Sequence, residues 1–314
     1  MSGTPPEPTP QTVQSIIVRY ILAVRPPFLT ASLVPGLIGL ATANFSGIRI
    51  NALTAALTLI GPVLAQAGAN VLNDYFDDKN GTDEINTERL FPFTGGSRMI
   101  QNGLLSTRQM LIFGTLLLAT ATLMGLALIP IVGPKILWFI VAGLFISWAY
   151  SAPPLKLNSR GLGEICIALA FGLFIPLGAD FVQRGELSML PLIAGLPFAM
   201  LVTNILYINQ FPDRKADAAV GKNHLVVRLG ADKARWLYLI MALIGYVSLV
   251  LAVLFESLPI WGLLGLISAP LSLFAAHQLL NFASTPERLV PAIKMTILAT
   301  ISHAVLISTG LVIG

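Results

Sequence analysis

Residues 70–103 read NVLNDYFDDKNGTDEINTERLFPFTGGSRMIQNG. The stretch begins as the end of an apolar segment and turns abruptly acidic. Asp74, Asp77, Asp78, Asp83, Glu84 and Glu88 supply six of the chain's fifteen carboxylates. Carboxylates at the end of a membrane helix are unfavourable unless something pairs with them, which marks a candidate functional site. A hard divalent cation suits them. Mg²⁺ takes one or two carboxylates and completes its shell with water and phosphate oxygens. A second acidic cluster, Asn209-Gln-Phe-Pro-Asp213-Arg-Lys-Ala-Asp217, lies well downstream. The rest of the chain reads as a frame that holds the two clusters face to face at one membrane surface.

The composition supports that frame. The chain is 55% hydrophobic and 11% charged, against about 25% charged in an average soluble domain. The mean hydropathy is +0.79. A net charge of +4 could suggest nucleic acid, but the basic residues sit in short loops between apolar spans. That pattern belongs to membrane topology and not to a nucleic-acid face. The single cysteine, Cys166, rules out an internal disulfide and reads as a small buried hydrophobe. Residues 1–14 are rich in Pro and Thr and lack a signal-peptide pattern. They are expected to be a disordered tail, and residues 15–314 a single transmembrane domain.

The predicted fold class is all-α and polytopic, with about nine transmembrane helices around a central chamber. Spans of about 20 apolar residues fall approximately at 21–45, 51–75, 107–129, 134–151, 161–183, 188–211, 233–255, 259–281 and 291–313. The fourth is short, so eight is the alternative count. If loops alternate sides, sixteen Lys and Arg fall on one side and three (Arg49, Lys135 and Arg184) on the other. By the positive-inside rule the N-terminus and both acidic clusters face the cytoplasm, and the chain is a multi-pass protein of the cytoplasmic (inner) membrane.

Residues four apart on a helix share a face. Asn70, Asn73 or Asp74, and Asp77 therefore line one stripe where the second span ends. Asn209, Asp213 and Asp217 repeat the spacing, although Pro212 is expected to kink or end its span. The shared Asn-x-x-x-Asp pattern hints at a duplicated helical unit. Lys156, Lys222, Arg228, Arg89 and Arg98 supply cations nearby. Two Asp clusters, Mg²⁺ and several cations suit a diphosphate, and an apolar chamber beneath suits an apolar tail on it. The chemistry implied is ionisation of an allylic diphosphate, with the cation kept from water until an acceptor attacks. Gly95-Gly96 reads equally as a phosphate-cradling nest or a plain turn. His277, His303, Phe171 and Phe174 read as packing residues, and His224 as an open question. A transporter is the rival class, disfavoured because transporter sites lie near the bilayer midplane.

Three stretches carry a family resemblance: NDYFDDKNGTD (73–83), YSAPPLKLNSRGLGE (150–164) and NQFPDRKADAAVGKNHLVVRLG (209–230), with RPPF (25–28) before them. Together they resemble the UbiA superfamily of intramembrane aromatic prenyltransferases. The resemblance implies a polyprenyl diphosphate donor, an aromatic acceptor, a lipid bilayer setting and Mg²⁺. It places Asp77, Asp83, Asp213 and Asp217 as metal ligands. Arg25, Asn73, Lys156, Asn209 and Lys222 are placed near the diphosphate, and Arg228, which follows the second acidic cluster, is expected there too. Asp77 and Asp213 carry the catalytic role, and Asp74 is a candidate proton acceptor beside the metal stripe. The family's first motif is usually NDxxDxxxD; here Gly81 stands at the last position and the acid follows at Asp83. That longer spacing is similar to the branch that prenylates 1,4-dihydroxy-2-naphthoate in menaquinone synthesis. Acceptors such as 4-hydroxybenzoate, a tetrapyrrole or a glycerol phosphate lipid remain the alternatives. His224 stands where relatives commonly have Thr or Ser.

Overall fold

A computed structural model describes residues 5–314. In chain order its helices are α1 (Ile16–Ala23), α2 (Pro26–Phe45), α3 (Ala52–Asn80), α4 (Thr82–Ile85), α5 (Thr107–Val132), α6 (Ile136–Ala149), α7 (Gly163–Arg184), α8 (Leu190–Ala219), α9 (Leu225–Leu229), α10 (Ala231–Leu254), α11 (Ile260–Phe282) and α12 (Val290–Ile313). The described residues contain no strand. Eight helices are long and apolar enough to cross a bilayer: α2, α3, α5, α7, α8, α10, α11 and α12. The protein is a multi-span membrane protein, all helical as the sequence predicts.

The expected fourth span is α6, which has only 14 residues and so rises about 21 Å, short of a hydrocarbon core of roughly 30 Å. It still connects the two ends of the bundle. Its first residue, Ile136, packs with Phe181 and Val182 near the end of α7, and Ser151, just past its last turn, accepts a hydrogen bond from Asn73 on α3.

Local signals set the helix ends. Ser106 and Gln109 form a capping box at the start of α5. Asn51 accepts the Thr54 N–H at the start of α3. Gly81, at φ +80°, ends α3 in the left-handed conformation. Pro212 does not end α8, which runs on to Ala219. An interior proline costs a helix about 3 kcal/mol; here the flanking Ile208 and Phe211 are fully buried, and their packing outweighs it. The second acidic stripe is therefore as helical as the first.

α8 sits at the centre and contributes to both of the largest apolar clusters, Tyr207, Ile208 and Phe211 to one and Phe198, Val202 and Ile205 to the other. α7 reaches it closely, because a Cβ at Gly172 would lie 2.1 Å from the Ala199 Cβ, and one at Gly195 would lie 2.2 Å from the Gly172 carbonyl. Small residues let membrane helices approach in this way. From Ala168 to Phe174 α7 is wound as a π-helix, a geometry that often marks functional stretches. Large apolar side chains such as Trp138, Phe145 and Trp236 point outward, as a lipid-facing surface requires.

The expectation for the N-terminal tail needs correction in part. Residues 1–4 lie outside the described residues. Beyond them, Pro8 is buried and Glu7 forms ion pairs with Arg89 (2.6 Å) and Arg98 (3.6 Å). Asn102 donates to the Glu7 carboxylate and to the Pro8 carbonyl. Charged partners in the 86–102 loop outweigh the low hydrophobicity that suggests disorder.

Candidate active site

The last turns of α3 and α8 meet over one cavity of about 420 Å³. Asn73 and Asp77 line it from α3, Asp83 from α4, and Asn209, Asp213 and Asp217 from α8, with Lys222 and His224 from the following loop. The two clusters thus face each other as the sequence implies. Lys222 Nζ lies 2.6 Å from Asp77 Oδ1 and 3.4 Å from Asp217 Oδ1. Burial disfavours its charge, but Asp77 and Asp217 outweigh burial and hold the ammonium above the usual lysine range. His224 Nε2 lies 3.1 Å from Asp217 Oδ2, so this histidine braces a carboxylate. Asn86 donates to Asp213 Oδ1 at 2.6 Å.

The 86–98 loop closes over the acidic face. Gly95 and Gly96 both have φ +73°. A Cβ at Gly96 would lie 2.6 Å from Asp83 Oδ2 and 3.1 Å from Asp74 Oδ1, so only glycine lets the backbone pass. The amides here are turned to carboxylates: Gly95 N–H donates to Asp213 at 3.4 Å and Ser97 N–H to Asp74 Oδ2 at 2.9 Å. The phosphate-nest reading of this pair gives way to that of a carboxylate-binding turn. Asp74, expected as a proton acceptor, is held by the loop and does not line the cavity. Arg98 is buried beneath the loop and donates to the Asp83 carbonyl. Burial, and then the charges of Asp77 and Asp74, push the Asp83 carboxyl well above the usual carboxylate range.

Of the expected cations, Arg25 lines the cavity, donates to the Phe93 carbonyl at 2.8 Å and stacks 4.8 Å from the Phe28 ring centre. Lys156 and Arg228 do not line it. Lys156 sits in the left-handed conformation at φ 42°, just before the turn Leu157–Arg160. Arg228 donates to the Asn223 and Arg160 carbonyls, both at 2.6 Å, tying two loops together. Backbone carbonyls have claimed its guanidinium. Phe171 and Phe174, read as packing residues, line the cavity, as do Phe28, Phe139 and Tyr150. His277 pairs with Asn281, and His303 with the Gly265 carbonyl; both are packing residues.

The donor set fits Mg²⁺ in kind. Asp83 Oδ2, Asn86 Oδ1 and Asn209 Oδ1 are buried and without a partner, and all three residues line the cavity. These are hard oxygen donors, the type Mg²⁺ prefers. However, among the described residues no three of His, Cys, Asp and Glu converge on one ion. The expected quartet of Asp77, Asp83, Asp213 and Asp217 is therefore not a ready-made cage, because Lys222 spans Asp77 and Asp217. Sequence reasoning missed Asn86, Tyr150, Asn158 and Gln210 as lining residues. Tyr150, Asn158 and Gln210 lie inside the second and third quoted motifs; nothing in the spacing of Asn86 marks it.

An all-helical membrane bundle with two acidic helix ends over an aromatic-lined apolar cavity defines an enzyme that handles an apolar chain with an anionic head. Residues 32–298 match the UbiA prenyltransferase family, and the chain belongs to that family; it is a prenyltransferase. It is 27% identical to the 1,4-dihydroxy-2-naphthoate octaprenyltransferase of Mycobacterium leprae, over 94% of this chain and 97% of that protein. It is 29% identical to the enzyme of the same name from Escherichia coli, over 88% and 90%. Its fold is similar to the structure of a UbiA homolog from Archaeoglobus fulgidus bound to DMAPP and Mg²⁺, with a TM-score of 0.59 at 19% identity, covering 92% of this chain and 99% of that one.

Proposed function

We propose that the protein transfers a polyprenyl chain from its diphosphate to 1,4-dihydroxy-2-naphthoate, releasing diphosphate and CO₂ in menaquinone synthesis. The observation that carries the donor half is the meeting of Asp77, Asp213, Asp217 and Lys222 at the mouth of an apolar cavity. The names of the Mycobacterium leprae and Escherichia coli relatives support the acceptor, as does the displaced Asp83. The site lies on the cytoplasmic side of the cell membrane, in a single transmembrane domain.

Asp77, Asp83, Asp213 and Asp217 would hold Mg²⁺, with the side-chain carbonyls of Asn86 and Asn209 beside them. When bound, the metal neutralises charge developing on the leaving diphosphate. Lys222 and Arg25 add fixed positive charge at the same mouth, and Asn73 positions the diphosphate head. The isoprenoid tail lies in the cavity, where Phe28, Phe139, Phe171 and Phe174 exclude water and offer ring faces to the allylic cation. His224 keeps Asp217 oriented. An electron-rich hydroxylated ring needs positioning more than a strong base.

The test is kcat/KM for 1,4-dihydroxy-2-naphthoate against 4-hydroxybenzoate with one common polyprenyl diphosphate. A clear preference for the bicyclic acid is expected. A preference for 4-hydroxybenzoate overturns the acceptor assignment and leaves the prenyl donor chemistry in place.

A further inference from the structure

Beside the acidic mouth lies a second polar patch that the diphosphate chemistry does not use. Gln210, one residue past the Asn209 of the second motif, lines the cavity with Tyr150 and Asn158. Its Nε2 donates to Glu164 Oε1 at 2.9 Å. Glu164 stands in the first turn of α7, where a helix N-terminus favours a carboxylate. Both side chains are more than nine-tenths buried, at 7% and 6% exposure. A carboxylate only accepts hydrogen bonds, so the amide must turn its nitrogen to Glu164. That leaves Gln210 Oε1 as the free atom, and it has no partner. Glu164 Oε2, behind the amide, is likewise buried and unpartnered.

A buried carbonyl without a donor is unfavourable by about 1–3 kcal/mol, and Gln210 Oε1 is such an acceptor in the wall of the cavity. It calls for a ligand that brings a hydroxyl donor. An apolar isoprenoid has none, and a diphosphate is itself an acceptor. Tyr150 locates the patch: its neighbour Ser151 accepts a hydrogen bond from Asn73, and Tyr150 and Gln210 line the same cavity as Asp77 and Lys222. The patch therefore adjoins the reacting end of the cavity.

We propose that Gln210, oriented by Glu164, binds a ring hydroxyl of the aromatic acceptor and so sets which face of the ring meets the prenyl cation. The inference rests on the prenyl-transfer reading above and names the residues that select a hydroxylated ring. The hydroxyl donates to Gln210 Oε1 and keeps its proton. Drawing that proton toward the carbonyl sends electron density into the ring, and the Glu164 carboxylate behind the amide strengthens the effect by polarising it. The C1–O bond of the donor breaks, its electron pair leaving on diphosphate, and the ring carbon bears the new C–C bond. The acceptor's carboxylate carbon departs as CO₂ and returns its electron pair to the ring, so no base is consumed. Glu164 acts only through Gln210 and is a positioning residue.

The experiment compares 1,4-dihydroxy-2-naphthoate with its hydroxyl-methylated ethers in the purified wild-type protein and in Gln210→Met. The wild type is expected to prefer the free hydroxyls by about 10-fold or more, as sites built to hydrogen-bond a hydroxyl do. Gln210→Met is expected to lose most of that preference. Its KM for the acceptor should rise by about 10-fold, and its KM for the prenyl diphosphate should move far less. Glu164→Gln lets the amide turn over and is expected to show a smaller loss of the same preference; it serves if Gln210→Met does not fold. An undiminished preference in the folded variants, or equal rises in both KM values, overturns the subsite. Failure of the wild type to prenylate any hydroxyaromatic acid overturns the prenyl-transfer reading and the subsite together.

Discussion

Lys222 Nζ lies 2.6 Å from Asp77 Oδ1, so the loop after α8 is tied by charge to the last turn of α3. The pair is nearly buried, and breaking a buried pair by removing one partner is destabilising by about 3–5 kcal/mol. Lys222→Met is therefore expected to lower the unfolding midpoint of the metal-free protein. Mg²⁺ is expected to stabilise the variant more than the wild type, because Asp77 and Asp217 then lack their internal cation. Thermal unfolding with and without MgCl₂ checks this; equal metal-induced shifts in the two proteins would count against it.

Asp77 and Asp213 belong to different helices and line one cavity. Asp77→Ala and Asp213→Ala are each expected to reduce turnover by at least about 10³-fold, the scale of losing a preorganised electrostatic group. Both variants should remain folded in membranes. Diphosphate release under saturating Mg²⁺ is the readout, and an active single variant contradicts a shared site.

Glu7 straps the N-terminal segment to Arg89 and Arg98. Burial opposes its charge, but hydrogen bonds from Arg89 and Asn102 and the arginine charges hold its carboxyl below the ordinary value of 4.5. A carboxyl depressed on folding contributes stability that is complete above its unfolded pKa and is lost as pH falls through the folded one. Protection of residues 5–14 from proteolysis should therefore hold at neutral pH and fade below about pH 4. Glu7→Gln should remove that pH dependence; a variant that retains it refutes the strap.

At the opposite end of the bundle, Asp180 is completely buried and accepts two hydrogen bonds from Arg184, at 2.7 and 2.9 Å, and one from Thr42 at 3.0 Å. It staples α7 to α2. Asp180→Ala leaves Arg184 and Thr42 unmatched and is expected to destabilise by about 3 kcal/mol or more, lowering the unfolding midpoint without moving the acceptor preference. An unchanged midpoint would show the staple to be dispensable.

The basic-residue bias predicts that residues 81–106 and 220–233 face the cytoplasm and that Gly314 faces outward. In a Cys166→Ala background, Glu84→Cys and Lys233→Cys should label from the cytoplasmic side and Leu187→Cys from the other. Labelling of Glu84→Cys and Lys233→Cys from opposite sides would separate the two acidic clusters.

The sequence alone determined the all-helical membrane architecture, because apolar runs of bilayer length admit little else. It determined the chemistry of the mouth too, since Asp77, Asp213 and Lys222 are expensive at membrane-helix ends unless they pair, and both acidic stripes have helical spacing. Tertiary structure decided how those groups are used. Asp74 sits one residue from the stripe's Asn73, yet the Ser97 amide takes it out of the cavity. Arg228 shares a motif with Lys222, yet backbone carbonyls hold it. Glu7 reads as part of a tail until Arg89 and Arg98 meet it. Helical periodicity fixes which face a residue occupies, but a hydrogen-bond partner drawn from 23 or 46 residues away, as for Asp74 with Ser97 or Gln210 with Glu164, exists only once the helices have packed.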